Sequence, residues 1–171
     1  GVAGTLMSNL GLELALAEWG IPFARAAVGD RHVLGLLVNQ GWELGGETSG
    51  HILCLDKIST GDGIIAALQV LAALKESGQP LSQLKAGMQV YPQTLINVRM
   101  QRRFDVKTSP AVTRAVAEAE RELGTHGRVV LRPSGTESVV RVMVEGRDPG
   151  QVERLAQSLA HSVQRAAEEA A

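Results

Sequence analysis

The segment Arg132-Pro133-Ser134-Gly135-Thr136-Glu137 has the clearest chemical potential in the chain. A guanidinium presents a planar fork that matches two oxygens of a phosphate. Two hydroxyls, Ser134 and Thr136, and a glycine that bares backbone N–H groups, Gly135, would complete an anion cradle of the nest type. Arg141, from the segment that follows, can approach the same anion. The plainer alternative is a β-hairpin whose Ser, Gly and Thr only satisfy turn geometry. A second loop, Gly46-Glu47-Thr48-Ser49-Gly50-His51, carries Glu47 and Ser49, which can accept from and donate to adjacent sugar hydroxyls. Its flanking glycines would let the backbone approach a ligand closely. Many α/β loops are rich in Gly and Ser for turn reasons alone, and a lone histidine such as His51 is more often structural. In Val28-Gly29-Asp30-Arg31-His32, Asp30 reads most simply as a helix cap, with Arg31 and His32 available to a ligand. Ser59-Thr60-Gly61-Asp62-Gly63 has one carboxylate, whereas a hard-cation site uses several oxygen ligands, so it reads as a helix N-terminus. There is no Walker loop, dinucleotide glycine fingerprint, nucleophile elbow or metal-spaced histidine pair.

The elements that must hold these loops alternate in the first half. Gly1 to Met7 reads as a buried strand, followed by Ser8-Asn9, both good cap types. Leu12, Ala15, Leu16 and Trp19 recur at helical spacing until Gly20 and Pro22 stop the helix. Phe23 to Val28 predicts a strand. Asp30 predicts the start of a helix with Val33, Leu34, Leu37 and Val38 on one face and Gly41 at its end. Trp42 to Gly45 and His51 to Leu55 read as strands, and Thr60 with Asp62 opens a strong helix over Ile64 to Lys75. This β-α-β-α-β-β-α order predicts a three-layer α/β domain over residues 1–88, in which ligands sit beyond the strand ends. Leu81 to Met88 reads as a linker, and residues 89–171 predict a small α+β domain of β-α-β-β-α order. There Val90 to Met100 is extended, and Ser109-Pro110 starts a helix with Val112, Ala115, Val116, Ala119 and Leu123 on its buried side. Arg128 to Leu131 and Val139 to Val144 are strands, and Asp148-Pro149 opens a last helix faced by Val152, Leu155, Leu159 and Val163.

Composition narrows the classes. Hydrophobic residues make up 44% and charged residues 20% of the 171, enough for packed cores and against disorder. Two Trp, two Phe and one Tyr are too few for the stacking platforms of single-strand nucleic-acid binders. A net charge of −1 lacks the footprint of a duplex binder. The longest apolar run is too short to span a bilayer, and no signal-peptide pattern is read. Neither nucleic acid nor a membrane is therefore an expected partner. One cysteine, Cys54, excludes an internal disulfide framework and fits a reducing, cytoplasmic compartment. The chain opens on Gly1-Val2-Ala3-Gly4 and runs straight into a core strand, so the expectation is that something upstream is missing.

Taken in order, Gly4-Thr5-Leu6-Met7-Ser8-Asn9, Val28-Gly29-Asp30-Arg31, Gly46-Glu47-Thr48-Ser49-Gly50-His51, Thr60-Gly61-Asp62-Gly63 and Arg132-Pro133-Ser134-Gly135-Thr136-Glu137 resemble the bacterial phosphoglucosamine mutase family, within the α-D-phosphohexomutase superfamily. Arg141-Val142-Met143-Val144-Glu145-Gly146 continues the likeness, which runs over essentially the whole chain. The resemblance implies the third and fourth domains of an enzyme that interconverts glucosamine 6-phosphate and glucosamine 1-phosphate through a bisphosphate intermediate. It implies a phosphoserine on a first domain and Mg²⁺ in an aspartate-rich loop on a second, neither of which matches any stretch here. No catalytic residue or metal ligand is therefore assigned to this chain, which would depend on those N-terminal domains as partners and be inert alone. The resemblance places Glu47, Ser49 and His51 at the sugar of a hexosamine phosphate, and Gly29, Asp30 and Arg31 along the same cleft. It places Arg132, Ser134, Gly135, Thr136 and Arg141 at the non-transferring phosphate. Ala27 stands where Lys is common in the family, and Ser138 where Pro usually follows the turn; the first removes charge, the second should loosen the hairpin. A stand-alone, non-catalytic phosphosugar-binding module is the alternative, and an interaction domain whose loops are only turns is a third.

Overall fold

In the first half of the chain, polar side chains at strand ends decide where each strand stops. In a computed structural model that describes residues 1–101, 105–134 and 137–169, the chain divides into two units, Gly1–Val90 and Tyr91–Ala171. The first unit runs β1 (Val2–Thr5), α1 (Leu10–Glu18), β2 (Phe23–Ala26), α2 (Asp30–Gln40), β3 (Leu44–Gly46), β4 (Ile52–Cys54), α3 (Gly63–Ser77) and a short α4 (Leu81–Leu84). Its sheet has the order β2-β1-β3-β4, with β1 parallel to β2 and β3, and β4 antiparallel to β3. The strands are shorter than the apolar runs suggest. β1 ends at Thr5 because Ser8 Oγ accepts the Thr5 N–H at 2.9 Å and Thr5 Oγ1 accepts the Met7 N–H at 3.2 Å, folding Leu6-Met7 into a turn. β2 stops at Ala26, opposite Thr5, where its partner ends.

Helix α2 covers one face of this sheet. Val33 and Leu37 are fully buried with Ala3, Ala26 and Leu53. A Cβ on Gly45 would sit 2.8 Å from Val33 Cγ1, so only glycine admits the helix this close. Val38, expected on the buried stripe, is 67% exposed, because it lies about 100° around the helix from Leu37. Asp30 does not cap α2 as expected; Gly29 holds that position at φ 126°, and Asp30 is already helical, its Oδ1 accepting the Arg31 N–H. α1 lies on the opposite face, tied to β2 by Arg25 and Glu13, with Asn9 Oδ1 accepting the Gly11 N–H at its start. Leu10, Gly11, Ala15 and Leu16 are its buried residues, whereas Trp19 falls just past the last turn and is 58% exposed. Within the segment read as a linker and just past it, residues 85–89 return to α1: a Cβ on Gly11 would meet Gln89 O at 1.8 Å, and one on Gly87 would meet the Trp19 ring.

Asp62 caps α3, accepting from Ile64 N–H at 2.8 Å and Ile65 N–H at 2.9 Å. No residue of the helix is fully buried, so this cap carries much of what holds its start. Asp62→Ala should therefore cost about 1 kcal/mol, read as a lower melting temperature of the first unit. An unchanged melt would refute the capping role.

The second unit runs β5 (Gln93–Arg99), α5 (Pro110–Leu123), β6 (Gly127–Pro133), β7 (Val139–Gly146) and α6 (Pro149–Glu169). This is the expected β-α-β-β-α order, on an antiparallel sheet β5-β7-β6. Ser109 Oγ accepts the Val112 N–H, Pro110 opens α5, and Gly124 ends it at φ 59°. Both helices pack on the sheet face that carries Val98, Val140, Val142 and Val144. Val112, Ala119 and Leu123 come from α5, and Val152, Leu155, Leu159 and Val163 from α6. Side chains alternate across strands, so Asn97, Arg132, Arg141, Met143 and Glu145 occupy the other face.

Candidate functional site

In the first unit, the candidate sugar loop follows β3 and is closed on itself. Glu47 N–H donates to His51 O at 3.0 Å, and Gly50 N–H to Glu47 O at 3.0 Å. The Glu47 side chain is 9% exposed and is the hub of the loop. Its Oε2 accepts the Gly29 N–H at 3.1 Å, and its Oε1 lies 3.2 Å from His51 Nδ1. A carboxylate accepts only, so this contact places the proton on Nδ1; Ser49 Oγ lies 3.4 Å from the same nitrogen. The fold thus brings Glu47, Ser49, His51 and Gly29 together, while the Asp30 and Arg31 side chains are exposed, Arg31 Nε reaching only the His32 ring.

Burial works to raise the Glu47 carboxyl, but hydrogen bonds from His51, Ser49 and the Gly29 N–H outweigh it and hold it below the ordinary glutamate value. A depressed folded-state value means that the clamp stabilises the loop above the unfolded glutamate value, about pH 4.3. That stability is lost as pH falls through the lower folded value. A side-chain NMR titration should place the Glu47 midpoint below that of glutamate in a peptide; a midpoint at or above it would refute the clamp.

A recess of about 260 Å³ gathers this loop with the β1–α1 turn, lined by Ser8, Asn9, Leu12, Glu47, Thr48 and Met88. That turn is held by Arg25, whose Nη1 donates to Thr5 O at 2.9 Å and Ser8 O at 2.6 Å, while Nε and Nη2 bond Glu13. The guanidinium also stacks 5.0 Å from the Phe23 ring centroid. Sequence reading missed Arg25 as a positioning residue. Nothing in the linear pattern ties it to a loop 17 residues away.

In the second unit, strand register makes the site. β6 pairs with β7 so that Arg132 lies directly opposite Arg141, with Asn97 of β5 on the far side of Arg141. Directly opposed like charges on neighbouring strands repel. Among the described residues four arginines are half-buried. Arg25 and Arg128 are paired with Glu13 and Glu145, whereas no carboxylate pairs with Arg132 or Arg141. Ser134 is buried, its N–H closing the hairpin to Val139 O at 2.8 Å and its Oγ accepting the Glu137 N–H at 3.2 Å. The Ser134 O–H remains a donor. Gly135 and Thr136 lie outside the described residues. Two rows along the same face, Glu145 is fully buried, accepting from Arg128 Nε at 2.7 Å and Gln93 Nε2 at 3.3 Å. This network gave no sequence signal, since it exists only across strands.

Residues that would hold Mg²⁺ are not found in the described structure. No three of its His, Cys, Asp and Glu side chains converge, and Asp62 Oδ1 is committed to helix N–H groups. No step is derived through a metal. No helix among the described residues is long and apolar enough to cross a membrane.

A mixed α/β unit followed by a small α+β unit is the order of the last two domains of a phosphohexomutase. The chain belongs to the phosphoglucomutase/phosphomannomutase family, matching its alpha/beta/alpha domain III over residues 1–91 and its C-terminal domain over residues 95–162. It is 60% identical over 170 residues to a phosphoglucosamine mutase of Halorhodospira halophila and 57% identical over 165 residues to that of Methylococcus capsulatus. These alignments take in 99% and 96% of this chain but 37% of each relative, so the chain spans little more than a third of their length. Among solved structures it resembles Aspergillus fumigatus N-acetylphosphoglucosamine mutase in complex with GlcNAc-6P and magnesium. There the TM-score is 0.78 at 19% identity, over 96% of this chain and 41% of that one. It also resembles an N-acetylglucosamine-phosphate mutase of the alpha-D-phosphohexomutase superfamily in its substrate complex, with TM-score 0.79 at 19% identity, over 95% of this chain and 38% of that one. At these identities the structural likeness is one of fold.

Proposed function

We propose that the chain is the sugar- and phosphate-binding part of a phosphoglucosamine mutase, an enzyme interconverting glucosamine 6-phosphate and glucosamine 1-phosphate. The observation that carries this is the pair Arg132 and Arg141, half-buried, directly opposed and without a carboxylate partner among the described residues. Two cations so placed call for an anion, and a phosphate fits both guanidinium forks. Ser134, Gly135 and Thr136 contribute the remaining donors of the cradle. Glu47, Ser49 and His51 read the sugar hydroxyls, with Gly29, Asp30 and Arg31 beside them. The clamp from Glu47 to the Gly29 N–H supports a single preorganised loop surface.

The mechanism assigned to these residues is binding and orientation. Gripping the non-transferring phosphate supplies binding energy remote from the reaction, which positions the other end of the sugar for phosphoryl transfer. The phosphoryl-accepting serine and the Mg²⁺ loop belong to other parts of such an enzyme, so this chain turns over nothing by itself. Titration with glucosamine 6-phosphate at low ionic strength should give saturable binding, whereas unphosphorylated glucosamine should bind far more weakly. A coupled mutase assay on the same chain should read no turnover. Equal affinity for the two sugars would refute the phosphate reading, and turnover at ordinary enzyme rates would refute the division of labour.

A further inference from the structure

We propose that Asn97 of β5 is a further side chain of the anion site and donates its amide N–H to the bound phosphate; this rests on the phosphate reading above. The register places Asn97, Arg141 and Arg132 in one row across three adjacent strands, on the sheet face that α5 and α6 leave free. Opposed positions on neighbouring strands hold their Cβ atoms about 5 Å apart, and the whole row spans about 10 Å. Long arginine side chains and a short amide can all converge on one tetrahedral anion over that distance.

The rows of this face that cross all three strands differ in how far their polar groups are satisfied, and beyond them Arg99 pairs with Val139. In the row Gln93-Glu145-Arg128, both carboxylate oxygens accept from their strand neighbours, so the row is internally matched. The next row, Leu95-Met143-Val130, is apolar. In the row Asn97-Arg141-Arg132, two guanidiniums and an amide face each other with donors in surplus and no carboxylate acceptor among the described residues. Asn97 is exposed, so its amide is accessible to a ligand. Two fixed positive charges balance a phosphate monoester dianion, and a neutral amide adds a hydrogen bond without a third charge.

The test is calorimetric titration of the 171-residue chain with glucosamine 6-phosphate at low ionic strength. Asn97→Ala should weaken binding about threefold to tenfold. Asn97→Asp, which sets a carboxylate beside the phosphate, should weaken it about thirtyfold or more. Thr94→Ala, on the helix-facing side of the same strand where Thr94 bonds Glu153, should leave affinity unchanged. If Asn97→Ala binds like the parent, the proposed hydrogen bond is overturned, whether or not Asn97→Asp binds weakly. In that event a large loss in Arg132→Ala leaves the phosphate reading intact. If Arg132→Ala also binds like the parent, the phosphate reading itself has failed and the Asn97 inference with it.

Discussion

Arg132→Ala should weaken glucosamine 6-phosphate binding about 10- to 100-fold, the loss expected when a charge-assisted contact of about 1.5–3 kcal/mol is removed. The ligand-free protein should respond in the opposite sense. Arg132 and Arg141 are directly opposed with no carboxylate beside either among the described residues, so deleting one relieves repulsion rather than breaking a bond. The melting temperature without ligand should hold or rise slightly. Saturating phosphosugar should raise it in the parent by mass action and hardly at all in the variant. This pairing of weaker binding with unimpaired stability separates a ligand contact from a structural arginine. Arg128→Ala, which strips a fully buried Glu145 of its ion-pair partner, should lower stability instead. A fall of more than about 1 kcal/mol in the stability of Arg132→Ala, or unchanged affinity, would remove Arg132 from the site.

Glu145→Ala should destabilise the second unit by about 3 kcal/mol. Breaking a buried pair leaves the remaining charge without its partner, a loss of about 3–5 kcal/mol when both groups are dry. Arg128 retains 17% exposure, which places this case at the lower end. Glu145 lies on the middle strand β7, between Gln93 and Arg128, so both edge strands lose a cross-strand anchor. For a unit of this size the shift amounts to about 10–20 °C in melting temperature. Removing Arg128 as well should cost less than the sum of the two single changes, because the surviving charge is no longer stranded. Calorimetry of the single and double variants decides it. Additive losses, or a shift of only a few degrees for Glu145→Ala, would show that the pair contributes little.

Much of the element order was legible because its signals are local. Asn9, Asp62 and Ser109 cap helices through N–H groups two or three residues on. Gly41, Gly78 and Gly124 end helices at positive φ, where a side chain would strain the backbone. The reading went astray where an adjacent side chain or glycine, or the limited reach of a neighbouring element, outweighed the linear pattern. Thr5 and Ser8 stopped β1 before its apolar run ended. Asp30 is a capping type, but Gly29, unhindered at φ 126°, took the cap position. Trp19 and Val38 fit a helical stripe in one dimension yet stand exposed, because the sheet reaches only part of each helix.

The candidate site divides in the same way. The residue types of the Glu47 loop and the Arg132 loop, and the order of their motifs, are properties of the linear chain and by themselves determined which chemistry to expect. The clamp from Glu47 to the Gly29 N–H, the Arg25 brace on Thr5 and Ser8, and the unbalanced row Asn97-Arg141-Arg132 were decided by tertiary structure alone. The physical reason is register. Shifting one strand by a single residue would move every side chain to the opposite face and separate the two arginines. That alignment is set by core residues such as Val140, Val142 and Val144, which lie in the same strand as Arg141 but on its other side.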